Sequence, residues 1–242
     1  MSSDAPRPEH GYIAAQVRAA EAPLLAAGEP LMRRAASALA AEIERLIPAR
    51  ADATGPALVV VLAGSGDNGG DALYAGAELA AHGADVRIVA TGSRLHEEGV
   101  ASARAAGATD LDPDADPDGF DRAVVDADVI VDGILGIGAA ASPALRGRAR
   151  ELVARVLELR ASATRHPLVV AVDLPSGIGA DDGAAPDPTV LPADVTVTFG
   201  AVKAGLLVPP GSAYAGRVVL VDLGLGPALA DVEPAVRLVD GA

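Results

Sequence analysis

Apolar residues recur along the chain first at helical and then at strand spacing. "YIAAQVRAAEAPLLAAG" and "PLMRRAASALAAEIERLIPAR" carry them at intervals of three and four, with Gly28 and Pro30 at the break, which predicts two helices ahead of any sheet. From residue 57 onward, short continuous apolar runs alternate with helical stretches. These are "ALVVVLA" (57–63), a helix from about Gly70 to His82, "DVRIVA" (85–90), a helix from about Leu95 to Ala106, "VIVDGI" (129–134), a helix from about Leu145 to Arg160, and "LVVAVDL" (168–174). Continuous hydrophobicity marks strands buried on both faces, and regular interleaving with helices predicts βαβ units. "DVTVTFG" (194–200) and "GRVVLVDLGL" (216–225) predict two more strands without a clear helix between them. The Asp- and Pro-rich "GATDLDPDADPDGFD" and "GADDGAAPDPTVLPAD" read as solvated loops. The expected fold class is therefore α/β, a three-layer, doubly wound, mostly parallel sheet of Rossmann-like type with two N-terminal helices. Residues 11–242 are expected to form one domain after a disordered start at 1–10.

Composition narrows the function. The chain has 242 residues, half of them hydrophobic, enough for one sizeable core. A formal charge of −14 repels nucleic-acid phosphates and anionic membrane surfaces at long range, so neither is an expected partner and a small ligand is favoured. Cysteine is absent, which removes disulfides, thiolate nucleophiles and soft-metal sites. The opening "MSSDAPRPEH" lacks the basic and apolar regions of a secretion signal, and no later apolar run reaches membrane-spanning length. A soluble, cytoplasmic protein is the expectation.

The segment "GSGDNGGDA" follows the first strand run and contains the G-x-G-x-x-G spacing Gly64, Gly66 and Gly69. A dinucleotide-binding dehydrogenase also needs an acidic residue at the end of the next strand to hold the ribose. Here that strand ends in "VATGS", and Asp67 and Asp71 beside the turn would repel a phosphate. A phosphate-binding P-loop is excluded because Lys203, in "GAVKAG", is the only lysine. A Ser-acid-His hydrolase order is excluded because the last histidine, His166, precedes Ser176. His10, His82, His96 and His166 have no metal-ligand spacing.

Acids and polar groups do gather at predicted strand ends, where ligands of open α/β sheets bind. They are "GSGDNGGD" after the first strand, Asp132 in "VIVDGILGIG", and Asp173 in "VAVDLPSG". Taken singly, Asp71 reads as a first-turn helix residue and Ser176 as a turn former. Taken together, oxygen ligands from Asn68, Asp132 and Ser176 would suit a hard cation, and the remaining carboxylates would suit acid/base work. The second glycine loop, "GILGIGAAAS", offers successive backbone N–H groups ahead of a helix, either as a phosphate cradle or as a plain tight turn.

"GSGDNGGDALYAGAELAAHGADVRIV", "VDGILGIG", "AVDLPSG" and "TVTFGAVKAGLLVPPG", in this order, resemble the NAD(P)H-hydrate epimerases, the YjeF N-terminal domain family, and "QVRAAEAPLLAAGEPLMRRAA" resembles its leading helices. The resemblance spans nearly the whole chain and implies interconversion of the R and S epimers of hydrated NADH and NADPH (NADHX and NADPHX). An ADP- or ATP-dependent hydrate dehydratase would be the metabolic partner, and the assembly a homodimer. Carried over by motif, Asp67, Asn68, Gly69, Gly70 and Asp71 form a substrate-binding segment, and the loop Gly136, Ile137, Gly138, Ala139, Ala140, Ala141 and Ser142 receives the dinucleotide phosphates. Asp173 contacts the hydrated nicotinamide as the catalytic acid/base, desolvated against an apolar ring. Asn68, Asp132 and Ser176 ligate K+. Asp67 stands where many members have asparagine. The loop from Gly138 to Ser142 lacks the family's Lys or Arg, with Arg146 as the expected substitute, and Lys203 matches a family lysine. The alternative, favoured by that neutral loop, is a non-catalytic nucleotide-binding or protein-scaffolding module of the same fold.

Overall fold

The computed structural model describes residues 9–47, 55–138, 142–163 and 165–238. Two helices lead, α1 (Ala14–Ala26) and α2 (Leu31–Leu46). The βα units follow: β2 (Leu58–Ala63), α3 (Asp67–Ala81), β3 (Asp85–Ala90), α4 (Glu97–Ala105), β4 (Thr109–Asp110), α5 (Pro117–Asp126), β5 (Val129–Gly133), α6 (Gly147–Ser162) and β6 (Leu168–Val172). Next come β7 (Val195–Phe199), two 3-10 turns (Ala204–Leu206 and Gly211–Ala213), β8 (Arg217–Val221) and the short α7 (Gly226–Leu229). Of the first ten residues, Glu9 and His10 are among those described. His10–Gly11 forms β1, which pairs antiparallel with β9 (Val236–Arg237).

The seven-stranded sheet runs β4-β3-β2-β5-β6-β7-β8 with every described pairing parallel, as the doubly wound expectation required. The strand order reverses between β2 and β5, and such a reversal opens a crevice at the carboxyl ends of the strands. Alternate strand residues face opposite layers. Val59, Val61, Ile88, Val131 and Val170 pack with Leu39 and Ile43 of α2 and Leu73 of α3, while Val60, Leu62, Ile130 and Val169 pack with Phe120 of α5 and Val153 and Val156 of α6.

The acidic stretch read as a solvated loop is one place where the structure departs from the pattern. Its second half starts α5. Asp116 caps the helix by accepting the Gly119 N–H at 2.8 Å, Pro117 occupies the first turn, and Phe120 and Val124, four residues apart, are buried. The polar residues of the run face solvent and mask a two-residue apolar stripe. The helix after β2 also begins earlier than its periodicity suggests, at Asp67.

Candidate active site

Three loops leave adjacent strands at the reversal and press together. Glycine permits this at two points: a Cβ on Gly64 would lie 2.0 Å from the Ile134 carbonyl oxygen, and one on Gly136 would lie 2.0 Å from Asn68 Oδ1. The glycines of the first loop thus serve contact between loops. Asp67 sits in the first turn of α3, where a negative side chain is favoured by the helix dipole. Asp71 lies one turn further in, so it is not the first-turn residue that the sequence suggests.

Asn68 and Ser176 meet at the Leu135 backbone, and Ser176 is bonded in turn to Asp132. Asn68 Nδ2 donates to the carbonyls of Val172 (2.5 Å) and Leu135 (3.2 Å). Ser176 Oγ accepts the Leu135 N–H at 2.8 Å, and the Ser176 N–H donates to Asp132 Oδ2 at 2.8 Å. Asp132 is fully buried, and burial raises its pKa against the lowering effect of the hydrogen bonds from Ser176. The set is built of oxygen donors with a single carboxylate, and the described residues hold no cluster of three or more His, Cys, Asp or Glu side chains able to bind a metal ion.

Asp173 stands at the carboxyl end of β6 with φ of 68°, the one described non-glycine residue with positive φ. Aspartate tolerates this region better than most residues, at a cost of about 1–3 kcal/mol that the surrounding contacts must offset. Its N–H donates to the Val197 carbonyl at 2.8 Å. Oδ1 accepts from Lys203 Nζ, from Thr198 Oγ1 at 3.1 Å and from the Phe199 N–H at 3.2 Å. Lys203 is itself buried, and its ammonium also donates to the Phe199 carbonyl at 2.8 Å. The segment carrying it is held by Tyr12, whose N–H donates to the Val202 carbonyl and whose carbonyl accepts the Ala204 N–H, both at 2.8 Å. Asp173 is therefore buried and ion-paired with Lys203, a partner that the sequence reading did not assign to it.

Three further acids surround that pair. Asp71 is buried and its Oδ1 has no hydrogen-bond partner. Burial, followed by the nearby Asp173 and Asp67 charges, holds its carboxyl well above the usual range. Glu21, half-buried on α1, is raised by burial and by Asp173 and Asp67, against the attraction of Lys203. Asp67 itself is exposed at the rim, beside exposed Ser65 and Gly66. The cluster thus has a buried floor of Asp71, Asp173 and Lys203 beneath an open edge.

Of the phosphate-loop residues, Gly136, Ile137, Gly138 and Ser142 are described, while Ala139, Ala140 and Ala141 lie outside the described residues. Among the described residues of this loop, the Ile137 carbonyl accepts from the guanidinium of Arg18 on α1, and Arg146 is exposed at the start of α6. Sequence reasoning missed both Arg18 and Glu21. Their signal is "RAAE", a charged pair three residues apart and so on one helical face. Two clefts share no lining residue with the cluster: one of about 250 Å³ between α5 and α6, and one of about 560 Å³ lined by Ala90, Gly92, Ser93, Asp112 and Arg148 at the end of β3.

The fold and site together define a Rossmann-like α/β protein whose acidic cluster at the strand-order reversal combines a buried carboxylate–ammonium pair, an unpartnered buried acid and a glycine loop. The chain belongs to the family described as YjeF-related protein N-terminus, whose model matches residues 28–205. It is 54% identical over 233 residues to the NAD(P)H-hydrate epimerase of Clavibacter michiganensis subsp. michiganensis, covering 94% of this chain and 95% of that protein. It is 51% identical to the NAD(P)H-hydrate epimerase of Microbacterium testaceum, covering 97% of this chain and 87% of the other. The bifunctional NAD(P)H-hydrate repair enzyme Nnr of Mycobacterium tuberculosis is 40% identical over 92% of this chain, which spans 43% of that protein. The crystal structure of yeast YNL200c superposes with a TM-score of 0.71 at 19% identity over 93% of this chain and 94% of the yeast chain, and so shares the fold. No helix among the described residues is long and apolar enough to cross a membrane.

Proposed function

We propose that the chain is an NAD(P)H-hydrate epimerase that interconverts the R and S forms of hydrated NADH and NADPH. The observation that carries this reading is the convergence at the strand-order reversal of Asn68 in the first turn of α3, bonded to the Val172 carbonyl next to Asp173, and of Asp132 at the end of β5, bonded to the Ser176 N–H. Relatives named for this activity at 51–55% identity over most of both chains support it over a scaffolding module.

Water added to the enamine double bond of a reduced nicotinamide ring places the hydroxyl on the carbon beside the ring nitrogen, because that nitrogen best supports positive charge there. Inverting this carbon needs a proton delivered to the departing oxygen and one removed from its replacement, work suited to positioned carboxyl groups. Asp173 is the acid/base of this reading. The segment from Asp67 to Asp71 borders the ring, and the loop from Gly136 to Ser142 takes the phosphates with its backbone N–H groups. Arg18 supplies the positive charge that this loop lacks, with bidentate geometry suited to phosphate.

Asn68, Asp132 and Ser176 would hold K+. The fit rests on hard oxygen donors with one carboxylate, which suits a weakly hydrated monovalent ion better than a divalent one, and on a buried Asp132 whose partners are the Ile134 and Ser176 N–H groups and the Ser176 side chain, none of them a cation. Bound there, K+ supplies fixed positive charge that holds the three loops in register. A cytoplasmic homodimer working beside an ADP- or ATP-dependent dehydratase completes the reading, the dehydratase partner being supported by the bifunctional mycobacterial relative. The test is to incubate the purified R epimer with the chain and follow the S epimer by chromatography, in K+ and in an equal concentration of a bulky organic cation. Appearance of S to equilibrium, faster in K+, is expected. Its absence at any K+ concentration removes the function.

A further inference from the structure

We propose that Asp71 is the residue that hands a proton to the departing hydroxyl of the hydrated ring, while Asp173 serves as the partner that accepts the proton from the incoming water. This deepens the epimerase reading and rests on it.

The division follows from which carboxyl has a cation. Among the described residues the cluster contains one buried ammonium, Lys203, and its contacts are taken up by Asp173 Oδ1, the Phe199 carbonyl and Thr198 Oγ1. Asp71, nine-tenths buried, makes no ion pair there and leaves Oδ1 without any partner. The charged groups that face it are Asp67 on its own helix, Glu21 on α1, Asp173 after β6 and Lys203 after β7, three negative against one positive that is already paired. Burial without compensation favours the protonated form, and the neighbouring negative charges act in the same direction. An uncharged carboxyl with an unused oxygen is a proton donor, whereas Asp173 is held through Oδ1 by Lys203, Thr198 and the Phe199 N–H, and those bonds leave Oδ2 for the incoming water. Two groups of one residue type are thereby set to opposite tasks by their surroundings.

The Asp71 proton moves to the ring hydroxyl, the C–O bond breaks to release water, and the ring nitrogen's lone pair forms a C=N bond, leaving Asp71 as carboxylate. A second water adds to the other face of that bond. Its electron pair forms the new C–O bond, the C=N pair returns to nitrogen, and the proton it sheds goes to Asp173. Solvent carries that proton back to Asp71, and the net change is inversion alone.

Asp71→Asn preserves shape and removes the proton. Its kcat for R-to-S conversion is expected to fall about 100-fold or more, with KM within about threefold and the far-UV spectrum unchanged. A second measurement needs no variant: the wild-type kcat profile is expected to fall as pH rises and Asp71 loses its proton. A third reads protonation directly, as a protonated-carboxyl C=O stretch on the acidic side of that fall that Asp71→Asn lacks. An Asp71→Asn enzyme within threefold of wild-type kcat, or a wild-type kcat that does not fall as pH rises, overturns the proposal while leaving the epimerase intact. A wild type that makes no S epimer overturns both.

Discussion

Replacing Lys203 by methionine removes the only ammonium in the site while keeping most of the side-chain volume. Lys203 and Asp173 are 1% and 6% exposed at the side chain, so water cannot take over the role of the lost partner. The variant leaves a buried carboxylate whose remaining described donors are Thr198 Oγ1 and the Phe199 N–H, and a Phe199 carbonyl that has lost its ammonium donor. Breaking one side of a buried pair costs about 3–5 kcal/mol, against about 0–1 kcal/mol for an exposed pair. For a chain of this size that corresponds to a fall in Tm of roughly 6–20 °C. Urea denaturation and calorimetry of Lys203→Met, Asp173→Asn and the double variant measure it. The double variant should lose at least about 1 kcal/mol less than the sum of the singles, because each removes the other's stranded partner. A Lys203→Met loss below about 1 kcal/mol, or strict additivity, would refute the buried-pair account.

The remaining expectations concern other parts of the molecule. Arg18→Ala should raise KM for the hydrated dinucleotide about tenfold, the weight of one charge-assisted contact, with little change in kcat, whereas Arg146→Ala leaves KM unchanged; steady-state kinetics on both variants decides. The raised pKa of Asp71 means that its contribution to stability is fully present below the ordinary carboxylate range and is lost as pH rises toward the folded-state value. Asp71→Asn should therefore flatten the decline in stability over that window, as measured by urea titrations at successive pH values. Phe120→Ala, which empties the buried face of α5, should cost about 3–5 kcal/mol, whereas a truly solvated loop would show almost no change.

Much of this architecture is legible in the sequence because buried parallel strands write themselves as unbroken apolar runs, and the carboxyl ends of those runs locate the loops that meet. Asp132, Asp173 and Ser176 are readable for that reason. The Lys203–Asp173 pair is not, since thirty residues separate its members and only the close packing of β6 beside β7 joins them. Arg18 and Glu21 escape because helical periodicity tells which face of α1 is apolar but not what its polar face overhangs. α5 escapes because its capping acid and proline belong to the vocabulary of turns, and two buried side chains are too short a stripe to outweigh them.

Inversion of the hydrated carbon at these loops is read in a coupled assay. Racemic hydrate is mixed with a dehydratase that accepts only the S form, with and without the chain, and the restored cofactor is followed by its absorbance. With the chain present, all of the hydrate should be consumed, against half in its absence. A reaction that still stops at one half contradicts the account.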